Sequence, residues 1–296
     1  MANISAKQVV ALREKTGVGM MKCKEALVKT DGDMEQAIKL LREQGLAAAV
    51  KKASRIAAEG AVAVYNKDGV AVLVEVNSET DFVAKNEKFL TFANNIASIA
   101  AAQAPADIDA LLACKYVDSD LTVEDMRKEM ILVIGENINI RRFERVEGNV
   151  YTYNHGNGKI GVIVKFNEPV DPVVGKNVCM QVASMNPRFI SRTDVPQAEL
   201  DSEREIASVQ LKNDPKNANK PENIFAKMIE GKLGKFYSAN CLDDQEFILD
   251  SNLTVAKFIA SKHPSAKVEY FVRYEKGEGI QKREDNFAEE VAKMSK

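Results

Sequence analysis

The stretch AVAVYNKDGVAVLVEVN, Ala61 to Asn77, decides how the chain is read. Apolar residues alternate on both sides of Lys67-Asp68-Gly69, and an Asp-Gly pair between two alternating runs predicts a hairpin of antiparallel strands. Downstream, SETDFVAKNEKF (Ser78 to Phe89) passes from strand to helix. After a cap at Asn86, residues Phe89, Phe92, Ala93, Ile96 and Ile99 recur at helical spacing. A second helix over Val123 to Val133 leads into IGENINIRRFERVEG, whose Ile138, Ile140 and Phe143 predict a further strand. The unit then returns. EGAVAVYN at Glu59 recurs as EGNVYTYN at Glu147, and GKIGVIVKFN stands where VAVLVEVN stood. Lys176-Asn177 echoes Lys85-Asn86 before a helix, and RYEKGEG from Arg273 matches RFERVEG from Arg142. The expected fold class is therefore α+β, a duplicated core of antiparallel sheets with packed helices.

Around this core sit helical additions. Ser5 with Gln8 makes a capping box that opens a helix expected to stop at Gly17, and TGVGMM (Thr16 to Met21) turns into a second that carries Met21, Ala26 and Leu27. Asp33 caps a third, with Met34, Ala37, Ile38 and Leu41 on one face and an expected end at Gly45. The second copy is interrupted by a charged helix over Ala198 to Leu211, a break at Asn213-Asp214-Pro215, and a helix from Pro221 carrying Phe225, Met228, Ile229, Leu233 and Phe236. A last helix from Asn286 has a stripe of Phe287, Val291 and Met294. The expected divisions are a three-helix module at 1–55, a first core subdomain at 56–142, a second at 143–190 and 238–279, an inserted helical hairpin at 191–237 and a C-terminal helical module at 280–296.

Composition narrows the function. With 45% apolar and 28% charged residues and a net charge of -2, the chain folds readily and has no overall pull toward nucleic acid or membrane. Cys23, Cys114, Cys179 and Cys241 lie far apart, which gives neither a metal knuckle nor a dense disulfide framework. MANISAKQVV lacks a basic region followed by an apolar run, and no run approaches the ~18 apolar residues of a spanning helix, so a cytoplasmic protein is expected. GVGMMKCK fails the phosphate-loop spacing, and hydrolase, zinc and calcium motifs are absent. His155 and His263 stand in no ligand or nucleophile motif. No catalytic residue, metal or cofactor is expected, and the chain reads as a binding protein, not an enzyme.

One residue resists a structural explanation from sequence alone. Phe82 follows Asp81 in a turn where polar residues are usual, so it either staples the helix start onto Phe89 or the sheet, or awaits a partner. Adjacent Met20 and Met21 beside a glycine corner pose the same alternative between core and an adaptable contact patch.

TGVGMMKCKEAL, TDFVAKN, IGENINIRR, HGNGKIGVIV and RYEKGEGI with FAEEVAKMSK together resemble, end to end, the bacterial translation elongation factor Ts family. That resemblance implies a ubiquitin-associated-like N-terminal module and a guanine nucleotide exchange factor for elongation factor Tu, bound in its GDP and nucleotide-free forms. It implies that Thr80, Asp81, Phe82 and Val83 form the tip that dislocates Mg²⁺ and loosens GDP. Arg13, Met20, Met21, Lys52, Ile134, Gly135 and His155 are its further implied contacts. Neither a membrane nor direct nucleic acid is an implied partner, and a homodimer through the hairpin stays open. The alternative is a nucleic-acid-binding or structural scaffold of the translation machinery using KKASR and INIRRFER. A small-molecule enzyme around His155 is a more distant one.

Overall fold

The structure is a computed structural model that describes residues 4–217 and 220–281. The expected helix at Asn286, with Phe287, Val291 and Met294, lies outside the described residues. The N-terminal helices are α1 (Ala6–Thr16), α2 (Met20–Lys29) and α3 (Met34–Lys52). Ser5 and Gln8 close the capping box of α1, which ends on left-handed Gly17, and the Asp33 side chain caps α3. Leu12, Val18, Cys23, Leu27, Ala37 and Leu41 fill the space between them. Against expectation, α3 does not stop at Gly45. Its missing side chain serves packing instead, because a Cβ there would stand 3.3 Å from the Lys128 carbonyl of a later helix.

The first sheet begins with β1 (Glu59–Lys67) and β2 (Val70–Ser78), joined through Asp68 and Gly69, both at positive φ as a tight hairpin of right-twisted strands requires. The one-turn helix α4 (Asp81–Ala84) and then α5 (Glu87–Gln103) follow. After α6 (Ile108–Ala113) and α7 (Val123–Ile134), β3 (Ile138–Glu147) returns to pair with β2. Since β3 stays in this sheet to Glu147, the expected division between residues 142 and 143 falls inside a strand.

The second copy has β4 (Asn149–His155), β5 (Ile160–Phe166) and α8 (Pro172–Met185). The insertion is α9 (Gln197–Lys212) and α10 (Glu222–Asn240), followed by a small ribbon, β6 (Glu246–Phe247) and β7 (Asp250–Thr254), and α11 (Val255–Lys262). β8 (Val268–Glu275) completes the sheet in the order β4-β5-β8, matching β1-β2-β3.

Alternation along the strands builds four layers. Val72, Val74 and Val76 face Phe89, Phe92 and Ile96 of α5, while Val62 and Leu73 on the opposite faces meet Ile163 and Tyr274 of the second sheet. Val162, Val164 and Phe166 turn outward again to Val178 and Val182 of α8. The order is helix, sheet, sheet, helix, and β2 is buried on both faces. The sheets approach closely at Gly161, where a Cβ would lie 2.6 Å from Val62 Cγ1.

Two details of the repeat change. Lys176-Asn177 lies inside α8, whose cap is Asp171, accepting from the Val173 amide at 2.7 Å, with Pro172 in the first turn. The echo of Lys85-Asn86 is therefore not structural. Likewise, strand register pairs Arg145 with Val72 and Arg273 with Val162, so the equivalent segments are Phe143 to Glu147 and Phe271 to Glu275. Both arginines donate from Nε to the end of the packed helix, Arg145 to the Ala101 carbonyl and Arg273 to that of Ala183, each at 3.2 Å. Each also pairs with the glutamate two residues on, at 2.6 and 2.7 Å.

Candidate functional site

The connection from β2 to α5 carries the tip. Thr80 caps α4 by accepting from the Val83 amide, and Val83 and Ala84 point inward, Val83 packing on the first core. One turn of helix then leaves Asp81 and Phe82 outside. Phe82 is 81% exposed, while Phe89 is fully buried, so Phe82 is not a staple on Phe89 or the sheet. Asp81 pairs with Lys85 one turn later at 2.6 Å. A hydrogen bond from Lys85 holds the Asp81 carboxyl below its usual range, and the same bond raises Lys85.

Behind the tip, the chain is pinned to the end of α7. Glu136 Oε2 accepts from the Glu79 and Thr80 amides at 3.1 and 3.0 Å, and Oε1 from the Thr80 hydroxyl at 2.6 Å. The Glu79 carboxylate returns the contact by accepting from the Asn137 amide at 2.6 Å and pairing with Arg55 at 3.3 Å. Asn137 Nδ2 donates to the Arg55 carbonyl at 2.8 Å. Of the implied contacts, Lys52, Ile134 and Gly135 belong to this cluster. Lys52 Nζ donates to the carbonyl of Gly135, the left-handed cap of α7, and Ile134 is half-buried against the first core. Burial first, then Arg55 and Lys22, lowers the Lys52 pKa against the opposing pull of Glu79 and Glu136.

Arg13 lies in α1, and the adjacent Met20 and Met21 open the adjoining α2. Of the two alternatives for the methionines, core or contact patch, neither side chain joins the module core. Met21 is 68% exposed and Met20 is 38% exposed, because Cys23, Ala26 and Leu27 supply the inward face of α2. The module docks on α7 through Leu132, with Lys22 Nζ donating to the Leu132 carbonyl at 3.3 Å. Gly17, at the corner beside Met20, would place a Cβ 3.8 Å from Lys88 Nζ in the first turn of α5. The exposed methionines and Phe82 thus belong to neighbouring elements of one scaffold.

His155 ends β4, exposed, with its Nδ1 3.1 Å from the Tyr153 hydroxyl. Its turn faces the tip across a cleft of about 320 Å³ lined by Ala63, Ala84, Lys85, Leu90, Asn154 and Asn157. Among the described residues no cluster of His, Cys, Asp or Glu is arranged to hold a metal ion. Sequence reading missed Glu136, Glu79, Arg55 and Asn137. The available signal was a polar Glu-Asn directly after the glycine that ends α7, a place where side chains meet the next loop.

The family model described as "Elongation factor TS" matches residues 79–278. Proteins named "Elongation factor Ts" are similar over nearly the whole chain. The one from Clostridium acetobutylicum (strain ATCC 824) is 47% identical over 98% of this chain and 98% of its own length. Those from Clostridium perfringens (strain ATCC 13124) and Clostridium botulinum (strain Alaska E43) are each 46% identical over 98% of this chain and 99% of their own.

Proposed function

The chain belongs to the elongation factor Ts family, and on that premise we propose that it acts as a guanine nucleotide exchange factor for elongation factor Tu. The observation that carries this reading is the exposed Phe82 ring on a turn pinned from behind. A large apolar side chain held in water costs free energy until a partner covers it. On this reading the ring enters a crevice of the GTPase with Asp81 beside it, and Thr80 and Val83 supply the cap and anchor of the turn. Arg13, Met20 and Met21 make a second contact, with His155 at the rim of the cleft opposite.

GDP is held largely through its phosphates and a Mg²⁺ that demands near-ideal octahedral geometry. A small displacement at that site weakens both. Linkage then requires that the exchange factor and GDP lower each other's affinity by the same factor, so GDP leaves and GTP can rebind. The protein itself makes and breaks no covalent bond in this scheme. Lys52 and Gly135 satisfy each other internally, which supports a role in holding the tip.

The INIRRFER part of the basic strip in the scaffold alternative is already engaged. Arg141 and Arg142 pair with Glu75 at 3.1 and 2.6 Å, and Arg145 with Glu147 at 2.6 Å. Nothing in that arrangement favours a nucleic-acid surface. The hairpin leaves Ile206, Val209 and Ile224 exposed, and pairing of two copies there belongs to the same proposal.

The test is the release rate of a fluorescent GDP from elongation factor Tu, with the protein or its Phe82→Ala form added. Strong acceleration is expected from the first. Loss of a central aromatic anchor should reduce it about 30-fold in the second. No acceleration by the unmodified protein with a matched partner would overturn the reading.

A further inference from the structure

The tip is useful only if its position is fixed before the partner arrives, because ordering it during binding would consume part of the binding energy. Four residues of helix cannot fix themselves. Three of the hydrogen bonds that hold the turn to the body end on one carboxylate, that of Glu136, through the amides of Glu79 and Thr80 and the Thr80 hydroxyl. Bonds to an ionised acceptor are the stronger kind. Glu136 follows Gly135, the cap of α7, and α7 also carries the docked N-terminal module through Leu132.

Resting on the exchange reading above, we propose that Glu136 is the positioning residue of the tip. It touches neither nucleotide nor metal. Its carboxylate sets where Phe82 stands relative to Met20 and Met21, so that two docking points meet the partner at a fixed separation. Glu79, answering through the Asn137 amide and Arg55, keeps the same two loops from sliding.

The experiment is a double-mutant cycle on saturating GDP release from elongation factor Tu, paired with amide hydrogen exchange of the free protein. Glu136→Ala should lower the saturating rate about tenfold, and it should add less than about twofold on a Phe82→Ala background, since residues acting through one another are not additive. Glu136→Gln keeps an oxygen for the two amides and an NH₂ for the Thr80 oxygen. It should restore the rate to within about threefold of the unmodified protein. In free Glu136→Ala the Glu79 and Thr80 amides should exchange at least about tenfold faster, while those of Val72 and Val74 in β2 stay unchanged.

Full activity of Glu136→Ala, multiplied losses in the double variant, or unchanged exchange at Glu79 and Thr80 would each overturn the proposal. Uniformly faster exchange, including β2, would also overturn it by showing general destabilisation. If the unmodified protein fails to release GDP, the exchange reading falls. The two amides then still decide whether Glu136 holds the tip.

Discussion

The two halves of the core share strand order and helix placement, but they treat the same three positions in opposite ways. In the first half the link from β2 to its helix is a one-turn helix with Phe82 in water. In the second, the link from β5 to α8 has no helix, and its apolar residue, Val170, is buried and held on both sides by the Tyr151 hydroxyl, at 2.6 Å to its carbonyl and 2.9 Å from its amide. Tyr151 stands where the first half has Ala63, paired with Val164 as Ala63 is with Val74. Its ring closes onto Gly175 of α8, where a Cβ would lie 2.2 Å away, whereas Ala63 leaves an open cleft beside the tip. Glu75, buried in β2, corresponds to Lys165 on the surface of β5. Duplication supplied two equal frames. One was closed for stability and the other left with an open edge.

The largest expected effect breaks the grip between the halves. Glu75 accepts from Asn77 at 3.0 Å, from the Gly277 amide at 2.7 Å and from Arg141 and Arg142, so the first sheet holds the end of β8. Burial pushes its carboxyl up, but these hydrogen bonds outweigh burial and hold it below the usual range. Glu75→Gln takes the carboxylate from two arginines, of which Arg142 keeps Glu278 at 3.2 Å, and should cost about 3 kcal/mol, the low end for a buried pair because both guanidinium groups reach water. A depressed folded pKa means the contribution is complete above the usual carboxylate range and lost as pH falls through the lowered value. Denaturant curves of the two proteins should therefore differ at pH 7 and converge in acid. A difference independent of pH would show that shape, not charge, makes the grip.

A matched truncation sharpens the contrast at the two links. Val170→Ala should lower stability by about 2 kcal/mol through lost burial and a cavity. Phe82→Ala should stay within about 0.5 kcal/mol, as for an exposed position. Thermal unfolding of both variants reads this directly. A large loss at Phe82 would mean that the ring is part of the fold in solution.

These asymmetries explain what could be read beforehand. The repeat, the hairpin at Asp68-Gly69 and the caps at Ser5, Asn86 and Asp33 are local patterns, and local physics writes them into adjacent residues. Exposure of Phe82 was not legible, since a staple and a docking ring have the same neighbours in sequence. Pairing of RFERVEG with RYEKGEG slipped by three residues because the first segment offers two Arg-x-Glu steps, at Arg142 and at Arg145, for the single one at Arg273, and only hydrogen-bond register separates them. Gly45 read as a stop because a glycine that ends a helix and one that admits another helix look alike. Glu136 depended on a contact with Thr80 across a separate loop, for which no spacing rule exists.

The smallest effect concerns the interruption that only the second half carries. Its two ends meet where the Leu242 and Asp243 amides donate to the Phe189 and Ile190 carbonyls, each at 2.9 Å. Burial, then the charges of Asp244 and Asp194, raises the Asp243 carboxyl to about 6. Arg192 does not relieve this, being committed to Asp244 at 2.6 Å. Because the folded pKa is raised, folding favours the protonated form, so the penalty grows as pH rises from about 4 to about 6 and is complete above that. Asp243→Asn removes it and should gain about 1 kcal/mol at pH 7.5, or about 2 °C in Tm, with no gain at pH 4. The neck joins a hairpin to a core that the first half builds without one, so its strain should register in the second half alone. Faster amide exchange around Ile190 at pH 7.5 than at pH 5, after correction for intrinsic rates, is expected in the unmodified protein and not in Asp243→Asn. A gain in Tm that persisted at pH 4 would assign the effect to side-chain packing and remove the charge from the account.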